Sequence, residues 1–285
     1  MIEKVVKTEW RILKLEERHP FEIVAMEELL LQSAAVNNTN TIVFHLWHPS
    51  VSISRNQRLA DVNIERCKAD DVCVVKTLVG GRAVYHDPDY SLSFCAAMSL
   101  KDVPVSKKNP VSLFEFFLKR IIYGLSKMGI NAELYDKNYI RVDGKKISGT
   151  AMGATQDAVV IHGSLLYDIP DVDVYSSKML DYMNLNGHSR KQLHDDICSM
   201  LTCIKAHNYK LTRTEVCSNL AAGLAGSDGM YFGELSSDEK ARLKELVKTK
   251  YSNPDWHPGV QERGLCWRPY GPVPLSATRG ENPDT

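Results

Sequence analysis

The sequence predicts an α+β domain, with a mainly antiparallel mixed sheet packed against helices. Three observations carry this expectation. Segments that alternate apolar and polar residues are interleaved with segments whose apolar residues recur every three or four positions. The clearest strand pair is joined by a two-residue turn, which only antiparallel neighbours allow. The strongest helical segment is apolar over a face broad enough to need a sheet beneath it.

The elements follow in order. Ile23, Met26, Leu30 and Ala34 share one helical face across residues 22–35. Residues 41–53 read as strands around a turn at His48-Pro49. The apolar run 72–75 is too brief for a helix and reads as a buried strand. Leu92, Phe94, Ala96 and Met98 alternate, which predicts a strand with one covered face. Ser112 and Glu115 have capping-box spacing, placing a helix start there. That helix runs through Leu113, Phe117, Ile121, Leu125 and Met128, and Gly129 stops it. Asp143-Gly144 tolerates positive φ at both turn positions and predicts a hairpin between 139–142 and 145–151. A strand at 159–167 is expected to be interrupted by Gly163. The last third is mostly helical, with capping boxes at Thr212/Glu215 and Ser236/Glu239. Residues 1–250 are expected to form one domain, and 251–285 a short irregular, proline-rich tail.

Composition narrows the function classes. At 44% hydrophobic and 25% charged the chain is ordinary globular protein. Lysine plus arginine is 35 and aspartate plus glutamate is 35, so the charge balance offers no footprint for nucleic acid or an anionic membrane. No apolar run approaches a membrane span, and the first twenty residues lack the apolar core of a secretory signal. Seven cysteines, an odd number without disulfide rhythm, predict reduced thiols in a cytoplasm. His188, His194, Cys198, Cys203 and His207 crowd one region, but no Cys-x-x-Cys spacing is present. They read as packed, inert groups, and no metal is expected.

Three segments could carry chemistry. In VGGRAVYHD (79–87), paired glycines let a backbone approach an anion and Arg82 could fork onto a phosphate or carboxylate, yet alone this is a tight loop. In GKKISGTA (144–151), Lys145 and Lys146 point to opposite faces of a strand, so only one can enter a site; Ser148 shares the side of Lys146, and Gly149 leaves room. Alone this is a solvated lysine pair. His162-Gly163 lies inside an apolar strand, where a histidine is usually a satisfied core residue.

Taken in this order, a glycine turn, VDGKKISGTA and HGSLLYD resemble the lipoate–protein ligase and octanoyltransferase family, related in fold to biotin ligases. The helix at VAMEE (24–28), the strand FHLW (44–47) and the close at KYSNPDW (250–256) extend the resemblance over about residues 8–260. It is nearest to ligase A catalytic subunits without the accessory domain. The fold it implies is a biotin/lipoate ligase-like catalytic domain.

The family's chemistries differ in whether a cysteine takes the acyl group. One octanoyltransferase branch places that cysteine where this chain has Val159. The other places it just before the lysine hairpin, where residues 130–139 contain none. The resemblance therefore implies an ATP-dependent ligase: lipoate attacks the α-phosphorus of ATP, and a lysine on a lipoyl domain or glycine-cleavage H-type protein takes the acyl group from lipoyl-AMP. It implies Lys146 as the catalytic cation. ATP and phosphate contacts would come from Gly80, Gly81, Arg82, Ala83, Val84, Tyr85, Lys76, Asn138, Ser148 and Gly149. Val24, Met26, Glu27, Val79, His86, Thr150, Ala151, His162 and Gly163 would line the lipoate pocket. Mg²⁺ would sit through the substrate phosphates, with Asn138 nearby. Tyr139 stands where the family has aspartate, Thr77 where it has an arginine, and the GGR turn is more typical of one transferase branch. A transferase using another cysteine such as Cys95, and a non-catalytic lipoyl-binding relative, are the alternatives. The short stretch after Trp256 leaves no room for the accessory domain, so a separate accessory subunit is expected.

Overall fold

The computed structural model describes residues 8–54, 57–104, 109–135, 138–253 and 256. The elements are β1 (Glu9–Ile12), β2 (Glu16–Arg18), α1 (Pro20–Asn37), β3 (Asn40–Trp47), β4 (Ser50–Ile53), α2 (Ile64–Ala69), β5 (Cys73–Lys76), β6 (Val84–His86), β7 (Ser91–Ser99) and α3 (Pro110–Ser126). They continue as β8 (Ala132–Tyr135), β9 (Tyr139–Val142), β10 (Lys145–Ala154), β11 (Ala158–Leu166), α4 (Val172–Asp181), α5 (Arg190–Met200), α6 (Ile204–His207), α7 (Arg213–Ala225), β12 (Gly229–Phe232) and α8 (Ser237–Leu246).

The large sheet runs β12-β1-β3-β7-β11-β10-β9-β8, with β2 pairing on β3 beside that path. From β3 to β8 every neighbour is antiparallel, while β12, β1, β2 and β3 pair in parallel. A small sheet, β5-β4-β6, stands beside it. The α+β mixed sheet of the sequence reading is therefore the observed architecture.

Two helices sandwich the middle of the sheet. On one face Leu92, Phe94, Ala96 and Met98 of β7 pack with Leu113, Phe117 and Ile121 of α3, and α7 closes the same core. On the other, Cys95 and Ala97 pack with Val24, Met26 and Leu30 of α1. All nine residues of β7 are consequently buried, and the expectation of a single covered face is corrected: the alternation separates large residues under α3 from small ones under α1.

Local chemistry explains the boundaries. His19 caps α1 by accepting from the Phe21 N–H, with Pro20 in the first turn. The expected Ser112/Glu115 box does not form. Asn109 caps α3 instead, its Oδ1 accepting from the Ser112 N–H at 2.9 Å with Pro110 following, while Glu115 pairs with Lys119. Gly129, at φ 74°, ends the segment. The boxes at Thr212/Glu215 and Ser236/Glu239 both form. Asp143 and Gly144 adopt φ 49° and 75°, closing the β9–β10 hairpin as expected. Residues 41–53 supply two strands, but β3 joins the large sheet and β4 the small one. Gly163 does not interrupt β11; it pairs on both sides. Strand β12, parallel to β1, has no counterpart in the sequence reading.

The C-terminal helix is fastened by charge. Arg11 grips both carboxylate oxygens of Glu239 at 2.7 Å, and Ser33 adds a third bond. Past α8, Tyr251 is fully buried with its hydroxyl on Glu28 at 2.6 Å, and Trp256 donates to the Lys76 carbonyl. Packing thus continues past the expected boundary at 250, to Tyr251 and Trp256; most of the proline-rich tail lies outside the described residues. Among the described residues no helix is long and apolar enough to cross a membrane.

Candidate active site

One cavity of about 540 Å³ opens between the two sheets, α1 and the α4–α5 pair. Its floor comes from register. His45, Ser93, Ser164 and Gly149 lie opposite one another on β3, β7, β11 and β10. Three of these four side chains are small, so the space above them stays open. One residue on, Phe44, Phe94, Gly163 and Thr150 form the neighbouring row. A Cβ at Gly163 would stand 2.4 Å from Phe94 Cζ, so glycine is what lets that ring cross beneath β11.

The cationic wall is built by the β9–β10 hairpin. Between Lys146 and Ser148 the ladder slips by one residue, leaving Ile147 as the bulge. Lys145 is exposed, whereas Lys146 turns inward. Its Nζ lies 4.1 Å from the Tyr139 ring centroid. Burial, with help from the Arg82 guanidinium, pushes the Lys146 ammonium down to about 8. Its methylene chain lies across Gly149, where a Cβ would meet Cε and Nζ at 3.3 Å. Opposite, the loop after β5 presents Gly80, Gly81, Arg82 and Ala83, with Gly81 at φ 123°. Asn138 is tied to Thr150, its Nδ2 donating to the Thr150 carbonyl and its own carbonyl accepting from the Thr150 N–H and hydroxyl.

The deeper end is lined by histidines. Glu27, 2% exposed, holds His162 Nδ1 at 2.6 Å. Burial lowers the affinity of His162 for a proton, but Glu27 outweighs it, and the net shift is upward. His86 stacks on Trp47 at 4.1 Å between ring centroids and bonds Ser52 Oγ at 2.9 Å. Burial, and then the nearby His162, bring His86 down to about 3. Burial and then Arg18 bring His45 to about 3 as well, so both rings are neutral at physiological pH. Glu27 Oε2, both His45 nitrogens, Trp47 Nε1, His86 Nδ1, Ser93 Oγ and Ser148 Oγ are buried without a hydrogen-bond partner among the described residues. This end of the cavity is therefore rich in polar groups able to engage what enters it.

Most residues singled out from the sequence converge here: Lys146, Gly80, Gly81, Arg82, Ala83, Val84, Asn138, Ser148, Gly149, Glu27, His86, Thr150, Ala151, His162 and Gly163 all line the cavity. Five do not. Tyr85 sits between Val84 and His86 on a strand, so it faces the other way, packs on Tyr182 and bonds Asp87. Lys76 precedes Thr77, and it is Thr77 that reaches the cavity. Val24, Met26 and Val79 are buried in the core under α1; on α1 the cavity-facing pair is Ile23 and Glu27, four apart. Residues missed altogether are His45, Trp47, Ser52, Ser93 and Ser164, together with the α4–α5 wall of Tyr175, Met179, Ile197, Met200 and Leu201. The signal for the serines was present: Ser91, Ser93 and Cys95 are the small partners of the alternation read from Leu92 to Met98.

Comparison with known proteins points to one family. The profile of the lipoyl protein ligase A/B catalytic domain matches residues 19–225. The lipoate-protein ligase LplJ of Bacillus subtilis is 28% identical over 225 residues, 76% of this chain and 64% of that protein. The octanoyltransferase LipM of an Exiguobacterium is 24% identical over 277 residues, covering 87% of this chain and 98% of the other. Among solved structures, a bipartite lipoate protein ligase from Thermoplasma acidophilum, studied with its E2 lipoyl domain, superposes with a TM-score of 0.75 at 22% identity, over 87% of this chain and 96% of that one. This chain spans just under two thirds of the length of the Bacillus ligase. With more than half of it matched by the family profile, the chain belongs to the lipoyl protein ligase A/B catalytic domain family.

Proposed function

We propose that this chain is an ATP-dependent lipoate–protein ligase. The observation that carries the reading is the cavity's composition: among the described residues no thiol lines it, while a desolvated ammonium does. The nearest alternative nucleophile, Cys95, is 1% exposed, and burial raises its thiol well above the ordinary range. A transferase needs a thiolate to carry the acyl group; a ligase does not.

In this reading the lipoate carboxylate oxygen attacks the α-phosphorus of ATP. The bond from that phosphorus to the bridging oxygen breaks, and pyrophosphate leaves with the electron pair. The ε-amine of an acceptor lysine then attacks the acyl carbon; AMP leaves, the amine proton goes to solvent, and an amide remains. Lys146 meets charge developing on the phosphate and acyl oxygens, and the backbone at Gly80–Arg82 supplies further donors. The enclosed site limits hydrolysis of the mixed anhydride. Among the described residues Glu27 is the sole carboxylate that lines the cavity, and one of its oxygens is engaged by His162. That set does not form a protein cage for Mg²⁺, which suits an ion carried by the substrate phosphates.

The acceptor would be a lipoyl domain or H-type protein in the cytoplasm. As the archaeal relative is described as bipartite, we propose a separate accessory subunit for this chain as well. The match to LipM keeps acyl transfer from a carrier protein as the second reading. Pyrophosphate release that requires both ATP and lipoate supports the ligase, and Lys146→Ala should abolish it. Acyl transfer from a carrier without nucleotide would overturn the ligase in favour of the transferase.

A further inference from the structure

Away from the cavity, α4 and α5 pack side by side, and one group of side chains between them has no part in the chemistry above. His194 and Cys198 are four residues apart on α5, so they stack on one face of the helix. Asp173, in the first turn of α4, faces them. Cys198 Sγ lies 3.7 Å from His194 Nδ1 and 3.7 Å from Asp173 Oδ1, and the three donor atoms lie within 4.8 Å of one another.

We propose that Asp173, His194 and Cys198 form a binding site for a borderline divalent metal ion of the zinc class. Zn–S and Zn–N bonds of about 2.3 and 2.0–2.1 Å place tetrahedral donors roughly 3.3–3.6 Å apart. The observed sulfur contacts exceed that by only a few tenths of an ångström, and with all three donors within 4.8 Å of one another, side-chain movements of up to about 1.5 Å would close the shell. The tautomer is already set for ligation: His194 Nε2 lies 3.2 Å from the Asp173 carbonyl oxygen and donates to it, leaving the Nδ1 lone pair towards the sulfur. A thiol can donate one hydrogen bond, yet Asp173 Oδ1, Ser176 Oγ, the Val172 carbonyl and His194 Nδ1 all stand 3.3–3.8 Å from Sγ. Two of these acceptors, Asp173 Oδ1 and His194 Nδ1, are lone-pair donors that a cation shared with the sulfur can use. The donor set of one sulfur, one imidazole and one carboxylate favours zinc-class ions over Mg²⁺ or Ca²⁺ and leaves a fourth position for water. This proposal departs from the expectation that Cys198 is a packed, inert thiol.

The consequence is mechanical. No residue of α5 is fully buried, yet Ile197, Met200 and the following Leu201 wall the cavity. Leu201 bridges to Lys146, and the Thr202 N–H donates to the Lys146 carbonyl at 3.0 Å. An ion shared between α4 and α5 fastens this lightly held helix to α4, and the residues that follow it, Leu201 and Thr202, meet the strand that carries Lys146.

The test is titration of metal-free protein with Co²⁺, a spectroscopic stand-in for Zn²⁺, in a Cys266→Ser background that removes the one cysteine outside the described residues. The expected result is a one-to-one sulfur-to-cobalt charge-transfer band that Zn²⁺ displaces. Cys198→Ser should abolish the band. His194→Ala and Asp173→Asn should each weaken binding at least about tenfold, while Cys203→Ser should leave it intact. Hydrogen exchange across 190–200 should slow when Zn²⁺ is added, a readout that stays valid whatever reaction the enzyme catalyses. Absence of the band in a folded protein, or its persistence in Cys198→Ser, would overturn the site.

Discussion

Replacing Gly163 by alanine tests the packing that holds the cavity open. The added Cβ would stand 2.4 Å from Phe94 Cζ, 2.7 Å from Cε1 and 3.0 Å from Thr150 Cγ2. Carbon atoms rest at about 3.5–4.0 Å, so the ring must retreat by roughly 1 Å. It has little space on the core side, where Phe94 is 1% exposed beneath α3. The remaining direction is into the cavity that Phe94 and Gly163 both line. Overpacking of this kind costs about 1–3 kcal/mol. An unhindered glycine-to-alanine change within a strand would instead gain about 0.5–1 kcal/mol, so the sign of the effect is itself diagnostic. At about 2–4 °C per kcal/mol for a domain of this size, thermal unfolding should fall by roughly 2–12 °C. KM for the acyl substrate should rise in parallel, measured on the fraction that remains folded. An unchanged or higher melting temperature with unchanged KM would refute the packing argument.

Other expectations follow from the charged groups. The Lys146 ammonium, at about 8, loses its proton within the working range, so kcat/KM should decline as pH rises through that value; Arg82→Ala removes the neighbouring positive charge and should move the limb upward. His162 is raised in the folded state by Glu27, so the stabilisation it adds is fully present below its unfolded value and fades as pH climbs through the folded one. Glu27→Gln should remove that dependence, which denaturant titrations at pH 5 and pH 8 would show as a shrunken difference. Burial opposes ionisation of Glu239, but Arg11, Ser236 and Ser33 overcome it and hold the carboxylate at about 2. Its contribution is therefore present above pH 4.5 and lost as pH falls through 2. Glu239→Gln should cost about 1–2 kcal/mol, at the low end because the group is partly solvated, and should loosen α8 in hydrogen exchange.

How much of this was legible beforehand depends on whether the cause is local. The β9–β10 hairpin was readable because Asp143-Gly144 meets a backbone requirement on the spot, and it delivers Lys146 with its inward face. The α3 start was placed late because Ser112 has box spacing, while Asn109-Pro110 is the stronger local signal. Tyr85 was misplaced by treating 80–85 as one unit; strand alternation sends Val84 and His86 into the cavity and Tyr85 out of it. The floor row of His45, Ser93, Ser164 and Gly149 joins three distant stretches of chain, β3, β7 and the β10–β11 pair, and only their register reveals it. Strand β12 is likewise a consequence of β1 offering an edge. The α4–α5 wall was missed although Leu193, Ile197, Met200 and Leu201 recur at helical spacing, because α5 buries no residue fully and only tertiary packing turns that stripe to the cavity. Asp173 joins His194 and Cys198 through tertiary packing alone.

A cavity whose described lining offers an inward ammonium and no thiol should activate its acyl substrate through the nucleotide. Pyrophosphate release measures this most directly, using the chain with lipoate, ATP, Mg²⁺ and a lipoyl-domain acceptor, with and without a candidate accessory subunit. Release should require both ATP and lipoate and vanish in Lys146→Ala. Acceptor acylation from an acyl carrier with no nucleotide, undiminished by Lys146→Ala, would contradict it.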